Sequence, residues 1–305
     1  MQLNIIQKRK YAYLFSAFAT IGAIVCIAVY GLRLGIDFKG GTLMEVQFTE
    51  ATSPSADVVR EKLDSLELQS LTLQPTAERG MLLRYLASDD TTNDKVFGAM
   101  KEIDPAVTQL RVDFIGASVS DQMKNQAFTG TLLALLGIAL YIAWAFRRVA
   151  YPVTSWEYGA GAIIALAHDI IITVGVFSLL GHFHGIEVGV PFIAALLTIL
   201  GYSVNDTIVV YDRVRENLLR SRSGTDFEVI VNRSLNETLV RSINTSLTVI
   251  IVLIAVAVLG GESVRWFSVA LLVGVGFGTY SSIFIASALL VTRFKMKFPD
   301  AVVKK

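Results

Sequence analysis

The run from Pro191 to Val210 carries one charge, Asp206, in an otherwise uncharged and largely apolar stretch. At roughly 20 residues per crossing, a run of that length spans the hydrocarbon core of a bilayer as a helix. Holding an ionised Asp near the middle of such a helix costs roughly 2.5 to 3.5 kcal/mol on insertion scales, so it faces a partner or a water path. Asp169 repeats the pattern as the only formal charge between Tyr158 and Leu180. Two intramembrane acids point to a transporter or a proton-driven machine more than to a passive anchor.

Of the 305 residues, 53% are hydrophobic, and they gather into long blocks rather than amphipathic spacings. That composition marks a membrane protein. Six spans are expected: Tyr11 to Tyr30, Phe128 to Phe146, Tyr158 to Leu180, Val190 to Tyr211, Ile243 to Leu259 and Trp266 to Val291. Lys8, Arg9 and Lys10 precede the first; Arg147 and Arg148 follow the second. Arg213, Arg215, Arg220, Arg222, Arg233 and Arg241 lie between the fourth and fifth, and Arg293, Lys295 and Lys297 follow the sixth. All fall on one side, which the positive-inside rule makes cytoplasmic, together with both termini. The expected layout is a cytoplasmic N-terminus and first helix over 1–30, an external, net acidic domain over 31–125, and helices two to six over 126–305. An amphipathic segment at 212–241 is expected along the cytoplasmic face, capped by Thr225 and Glu228, with Phe227, Ile230, Val231, Leu235 and Leu239 on one side.

The basic start followed by apolar sequence has the charge layout of a signal peptide. Its apolar stretch exceeds the usual h-region of about 7 to 15 residues, and no A-x-A-like site closes it, so an uncleaved anchor is expected. The single cysteine, Cys26, permits no internal disulfide.

In the external domain Thr42 to Phe48 alternates as a strand, with Met44, Val46 and Phe48 inward. Ser53-Pro54 reads as the start of a helix to about Leu66 with Val58, Val59, Leu63 and Leu66 inward. A hairpin follows, Leu71 to Thr76 and Met81 to Ala87 around the turn Ala77-Glu78-Arg79-Gly80, then a helix over Thr92 to Ile103 facing inward with Val96, Phe97, Met100 and Ile103. A strand over Gln109 to Phe114 closes the domain. Strand, helix, strand, strand, helix, strand is the order of an α+β ferredoxin-like sandwich. Such a fold names no function by itself.

Four strings carry the remaining information. GIDFKGGT, Gly35 to Thr42, places Asp37 before Gly40-Gly41, whose glycines allow a sharp turn out of the membrane. ALAHDIIITVG, Ala165 to Gly175, sets His168 beside Asp169, about 100° apart on a helix. GYSVNDTIVVYDRVREN, Gly201 to Asn217, surrounds Asp206 with Tyr202 and Asn205, and Asp212-Arg213 marks the exit from the membrane. The two acids then differ in depth by roughly 10 Å in upright helices, so they are not expected to pair. Arg241 is the expected partner of Asp206, with Asn244, Thr245 and Thr248 continuing its polar face. Gly274 and Gly278, continued by Ser282 and Ala286, form a small-residue stripe for close helix approach. His182, His184 and Glu187 sit too sparsely on a short loop for a metal centre.

On GIDFKGGT, AHDIIIT, GYSVNDTIVVYDRVREN and six spans with one large insert, the chain resembles the SecF family of the bacterial SecDF protein-export complex, within the resistance-nodulation-division superfamily. The resemblance implies a non-enzymatic subunit of the inner membrane that pairs with SecD beside the SecYEG channel. It uses the proton-motive force to help draw preproteins outward. YajC, YidC and membrane lipids are the further implied companions, with protons as coupling ion and neither cofactor nor nucleic acid. Asp206 would be the proton-path carboxylate, with Arg241, Asp169 and Asn205 along that path. Asp37, Gly40, Gly41, Thr42, Gly201, Asp212 and Arg213 would be motif residues, the glycine pair serving as a hinge. A proton-driven exporter of small molecules or lipids is the alternative with the same machinery.

Overall fold

The structure, a computed structural model, describes residues 3–49, 54–76, 79–86, 90–147, 153–221 and 225–298. In chain order the elements are α1 (Arg9–Tyr30), α2 (Ile36–Lys39), β1 (Gly41–Gln47), α3 (Ala56–Leu63), β2 (Gln69–Thr76), β3 (Gly80–Leu86), α4 (Asp90–Ile103), β4 (Thr108–Ile115), α5 (Ala117–Ala145), α6 (Ser155–His184), α7 (Val190–Arg220), α8 (Phe227–Leu259), α9 (Glu262–Ser281) and α10 (Ser287–Lys297). A π-helical turn, Ser282–Ala286, joins the last two. The chain divides into a helical unit (Met1–Leu32, Thr129–His184, Pro191–Lys305) and an inserted unit (Arg33–Phe128, Gly185–Val190).

Among the described residues six helices are long and apolar enough to cross a membrane, one for each expected span. α6, α7 and the α9–α10 helix bury the largest shares of their apolar windows, while α1, α5 and α8 leave most of theirs outward. Outward Leu, Ile and Phe suit a bilayer, because lipid tails solvate them as well as protein does. What holds such helices together is close contact at small residues. A Cβ added at Gly175 of α6 would lie 2.4 Å from Ala23 Cβ and 2.6 Å from Ala23 Cα of α1. One added at Gly274 would lie 2.2 Å from Ile199 Cδ1 of α7, and Gly278 packs on Ser203 in the same way, so the glycine stripe is a packing seam.

Gly175→Val is therefore expected to push α1 off α6, at a cost of about 1–3 kcal/mol or more from overpacking against backbone. Gly22→Val, where nothing lies within 4 Å of an added Cβ, is the matched control. Thermal inactivation of the two detergent-solubilised variants measures the difference, and equal midpoints would contradict the packing.

The amphipathic stretch expected along the membrane surface is not a separate helix. No Gly or Pro interrupts 227–259, so it runs on into the fifth span as the single helix α8. Its N-cap is Asp226, whose side chain accepts from the Glu228 N–H at 2.9 Å, rather than Thr225. Phe227, Val231 and Leu235 are buried in the helical core, and Ile230 is buried beside them on the chain. Glu228 ties the start of α8 to the chain ends, pairing with Arg9 at 3.0 Å and with Lys295.

In the inserted unit the four strands are antiparallel in the order β2-β3-β1-β4. Met44, Val46 and Phe48 face inward as their alternation requires, meeting Val59 and Leu63 of α3, Met81 and Leu83 of β3, and Val96 and Met100 of α4. Val58 is the exception to the expected inner face, being 48% exposed, because it sits 100° round the helix from Val59. Ser55 rather than Ser53 caps α3, accepting from Val58 N–H at 3.4 Å. Ser53 and the turn residues Ala77 and Glu78 lie outside the described residues, as do Arg148 and Arg222. Residues 185–190 join this unit: Gly35 N–H donates to Val188 O at 2.9 Å and Val188 N–H to Arg33 O at 2.8 Å. Arg84 and Glu187 pair at 3.0 Å in the same place. Burial raises Glu187 above the ordinary glutamate range despite the opposing charges of Arg84, Arg33 and Lys39.

Candidate functional site

The two intramembrane acids occupy different surroundings. Asp169 is fully buried on α6, with His168 Nδ1 2.9 Å from its Oδ1. Ser203 of α7 and Ser281 of α9 donate to its Oδ2 at 2.6 and 2.8 Å. Every oxygen is matched, so Asp169 is a hub that ties three helices together. The 100° separation of His168 and Asp169 does not keep their side chains apart, since the imidazole reaches across to its neighbour. His168 then stacks on Tyr280, with ring centroids 6.3 Å apart.

Asp206 is half matched. Ser242 of α8 donates to its Oδ1 at 2.6 Å, while Oδ2 has no hydrogen-bond partner among the described residues. A buried carboxylate oxygen without a donor is costly, whereas a carboxyl group carrying its proton on that oxygen needs fewer donors. The site can thus change its bonding with proton occupancy, which the Asp169 hub is not arranged to do.

Arg241 is not brought to Asp206. It adjoins Ser242, and the 100° step that aims Ser242 at the carboxylate turns Arg241 outward, where it is exposed and forms no ion pair among the described residues. Asn205 is likewise exposed. Tyr202 donates to Ser246 at 3.1 Å, and Ser246 is 2.5 Å from Thr279, so a row of hydroxyls links α7, α8 and α9 one turn from Ser242, whose main-chain O accepts from Ser246 at 2.8 Å. Thr207 of α7 meets Ser282 at 2.8 Å where the π-helical turn begins, and such turns often sit at functional positions.

Sequence reasoning passed over Ser203, Ser242 and Ser281. Each lies inside a span, and a serine there was the available signal, because a hydroxyl in hydrocarbon is kept where it has a partner.

α7 and α8 each turn a strip of small or polar residues outward. Ala194, Thr198, Gly201 and Asn205 of α7 are exposed at steps of four, three and four, and Arg241, Asn244, Thr245 and Thr248 are exposed on α8. Lipid leaves Asn205 and Arg241 unsatisfied, so these strips suit another helix or water.

The other motif residues hold structure. Asp212 pairs with Arg215 at 2.9 Å, and Arg213 reaches Glu237 at 2.6 Å and Glu216, tying α7 to α8 at the basic end. Asp37 accepts from Val190 N–H at 2.7 Å. Gly40 and Gly41 have φ of 75° and 112°, and a Cβ on Gly41 would sit 2.6 Å from Tyr85 O, so the pair seats β1 tightly on β3. Thr42 is buried beside it. Of the residues weighed for metal, His182 and His184 lie in the last turn of α6 rather than in a loop, and His182 stacks on Tyr30 at 4.2 Å.

Residues 95–296 match the family described as protein export membrane protein SecD/SecF, C-terminal, and residues 27–52 match the SecD/SecF GG motif. The protein translocase subunit SecF of Thermobaculum terrenum is 41% identical over 300 residues, covering 95% of this chain and 93% of that one. SecF of Vibrio alginolyticus is 39% identical over 286 residues, covering 92% and 86%. The crystal structure of SecDF from Thermus thermophilus, described as a translocon-associated membrane protein, superposes with a TM-score of 0.84 at 31% identity. That match covers 96% of this chain and 39% of the SecDF chain, so this chain spans about two fifths of that one.

Proposed function

Since this chain belongs to the SecD/SecF protein-export family and is a multi-pass protein of the bacterial cell membrane, we propose that it is one half of a proton-driven export machine, with a SecD subunit as the other half. The carrying observation is Asp206, with one oxygen held by Ser242 and the other open, at the edge of an outward polar face. SecD helices covering that face would place donors or water near Oδ2, and Arg241 could turn to it in the ionised state. Neutralised, Asp206 no longer needs a donor at Oδ2, so proton uptake and release would alternate two packings of α7 and α8.

In this reading the N-terminus, the C-terminus and the α7–α8 connection face the cytoplasm and the inserted unit lies outside, an orientation that the basic segments support through the positive-inside rule. We read that unit as a ferredoxin-like sandwich, on its element order and sheet order, that handles preprotein leaving a SecYEG channel. YajC and YidC are further companions in this reading, and protons are its only coupling ion.

The test is export into vesicles containing the chain with its SecD companion. A proton ionophore added after the ATP-dependent stage is expected to remove the part of export that depends on this pair. Equal stimulation by the pair with and without the gradient would overturn the reading.

A further inference from the structure

Between α1, α8 and α9 the helical unit opens a groove of about 840 Å³. Its volume falls within the roughly 300–1,000 Å³ of ligand sites. Its α8 wall runs from Leu239 to Ile250, roughly 16 Å at helical rise, about half the hydrocarbon thickness and so the depth of one leaflet. Phe15, Leu247, Gly276 and Phe284 line it with apolar surface, and Lys8 stands among the lining residues at the basic end.

The hydroxyls that α8 and α9 contribute to its wall, those of Ser246, Thr279 and Tyr280, are already engaged. Ser246 is 2.5 Å from Thr279 and donates to Ser242 O at 2.8 Å, and Tyr280 donates to Ala12 O at 2.9 Å. An apolar occupant therefore strands none of them, which a polar ligand or a column of water would not require.

The helix geometry says which neighbour covers the groove. At 100° per residue, Ile243, Leu247 and Ile250 of α8 point within about 60° of one another, while Arg241, Asn244 and Thr248 point 100–160° away from Ile243. A partner subunit seated on the polar face thus leaves the groove open to the bilayer. At its end, Arg9 is taken by Glu228, but Lys8 is exposed and has no ion pair among the described residues. Such a cation at the membrane surface complements a lipid phosphate with further negative charge.

We propose that this groove is a binding site for an anionic phospholipid, with an acyl chain between α1, α8 and α9 and the headgroup on Lys8. The chain would lie against Ser246, two hydrogen bonds from Asp206 through Ser242, and would keep that side of the carboxylate dry.

The test uses the full chain purified with its partner subunit in neutral detergent, with phosphatidylglycerol or phosphatidylethanolamine of equal chain length added, and native mass spectrometry to count retained lipid. Phosphatidylglycerol is expected to be retained preferentially. Gly276→Phe, which grows into space where nothing lies within 4 Å of an added Cβ, is expected to lower retention at least fivefold. Lys8→Gln is expected to lower phosphatidylglycerol about fivefold, the worth of one lysine at an anionic surface, and to leave phosphatidylethanolamine unchanged. Where Gly276→Phe does not accumulate, Leu247→Trp fills the same groove and is read the same way. Equal retention of the two lipids, retention unchanged by groove filling, or cross-linking of a cysteine at position 247 to a partner helix would each overturn the proposal.

Discussion

Asp206→Asn is expected to abolish the gradient-dependent part of export while leaving the protein at normal abundance. The amide has nearly the volume of the carboxyl, and its oxygen can still accept from Ser242, so the packing of α7 on α8 survives. What it loses is the ability to gain and lose a charge. One elementary charge crossing 100 mV is worth about 2.3 kcal/mol, a bias of roughly 50-fold on a two-state equilibrium, and the variant has no such bias. Export measured with and without a proton gradient should therefore become the same in Asp206→Asn. Asp206→Glu keeps the titrating group and should retain part of the difference. Gradient-stimulated export at the wild-type level in Asp206→Asn would remove Asp206 from the proton path.

The opposite signature is expected at Asp169. Asp169→Ala removes the acceptor shared by His168, Ser203 and Ser281, leaving polar groups of α6, α7 and α9 buried without it. Ser281 retains Gly278 O as an acceptor at 3.1 Å, but His168 and Ser203 lose theirs, and each stranded donor costs about 1–3 kcal/mol, a large part of the stability of a whole domain. Loss of folded protein is the expected result, read as abundance in the membrane and as the temperature of aggregation in detergent. Asp169→Asn keeps one carbonyl oxygen, which in the Oδ2 position accepts from both serines, and should accumulate better than the alanine variant. If Asp169→Ala accumulates normally and fails only in gradient-driven export, the residue carries protons instead of holding helices.

These opposite signatures rest on features that the chain discloses unevenly. Both acids stand out in the sequence because a charge within an uncharged run needs no comparison to be seen. The serines that separate their roles do not, because a serine in a helix is unremarkable until its hydroxyl is found against a carboxylate. Arg241 shows the limit clearly: span position put it near Asp206, but a single 100° step hands the contact to Ser242. Val58 and Val59 differ in burial for the same reason.

Hydrophobic run lengths, basic flanks and strand alternation determined by themselves that the chain has six membrane helices and a four-stranded insert, since burial periodicity and bilayer thickness act along the chain. The uninterrupted 227–259 run was also legible in principle, as nothing in it breaks a helix. Only the tertiary structure decided that Asp169 is saturated with donors and Asp206 is not, that α7 and α8 each turn a polar strip outward, and that a groove opens beside Lys8. Those outcomes depend on the rotation of each helix about its axis, which is set by where Gly175 meets Ala23 and Gly274 meets Ile199, and contacts between distant residues leave no periodic trace in the sequence.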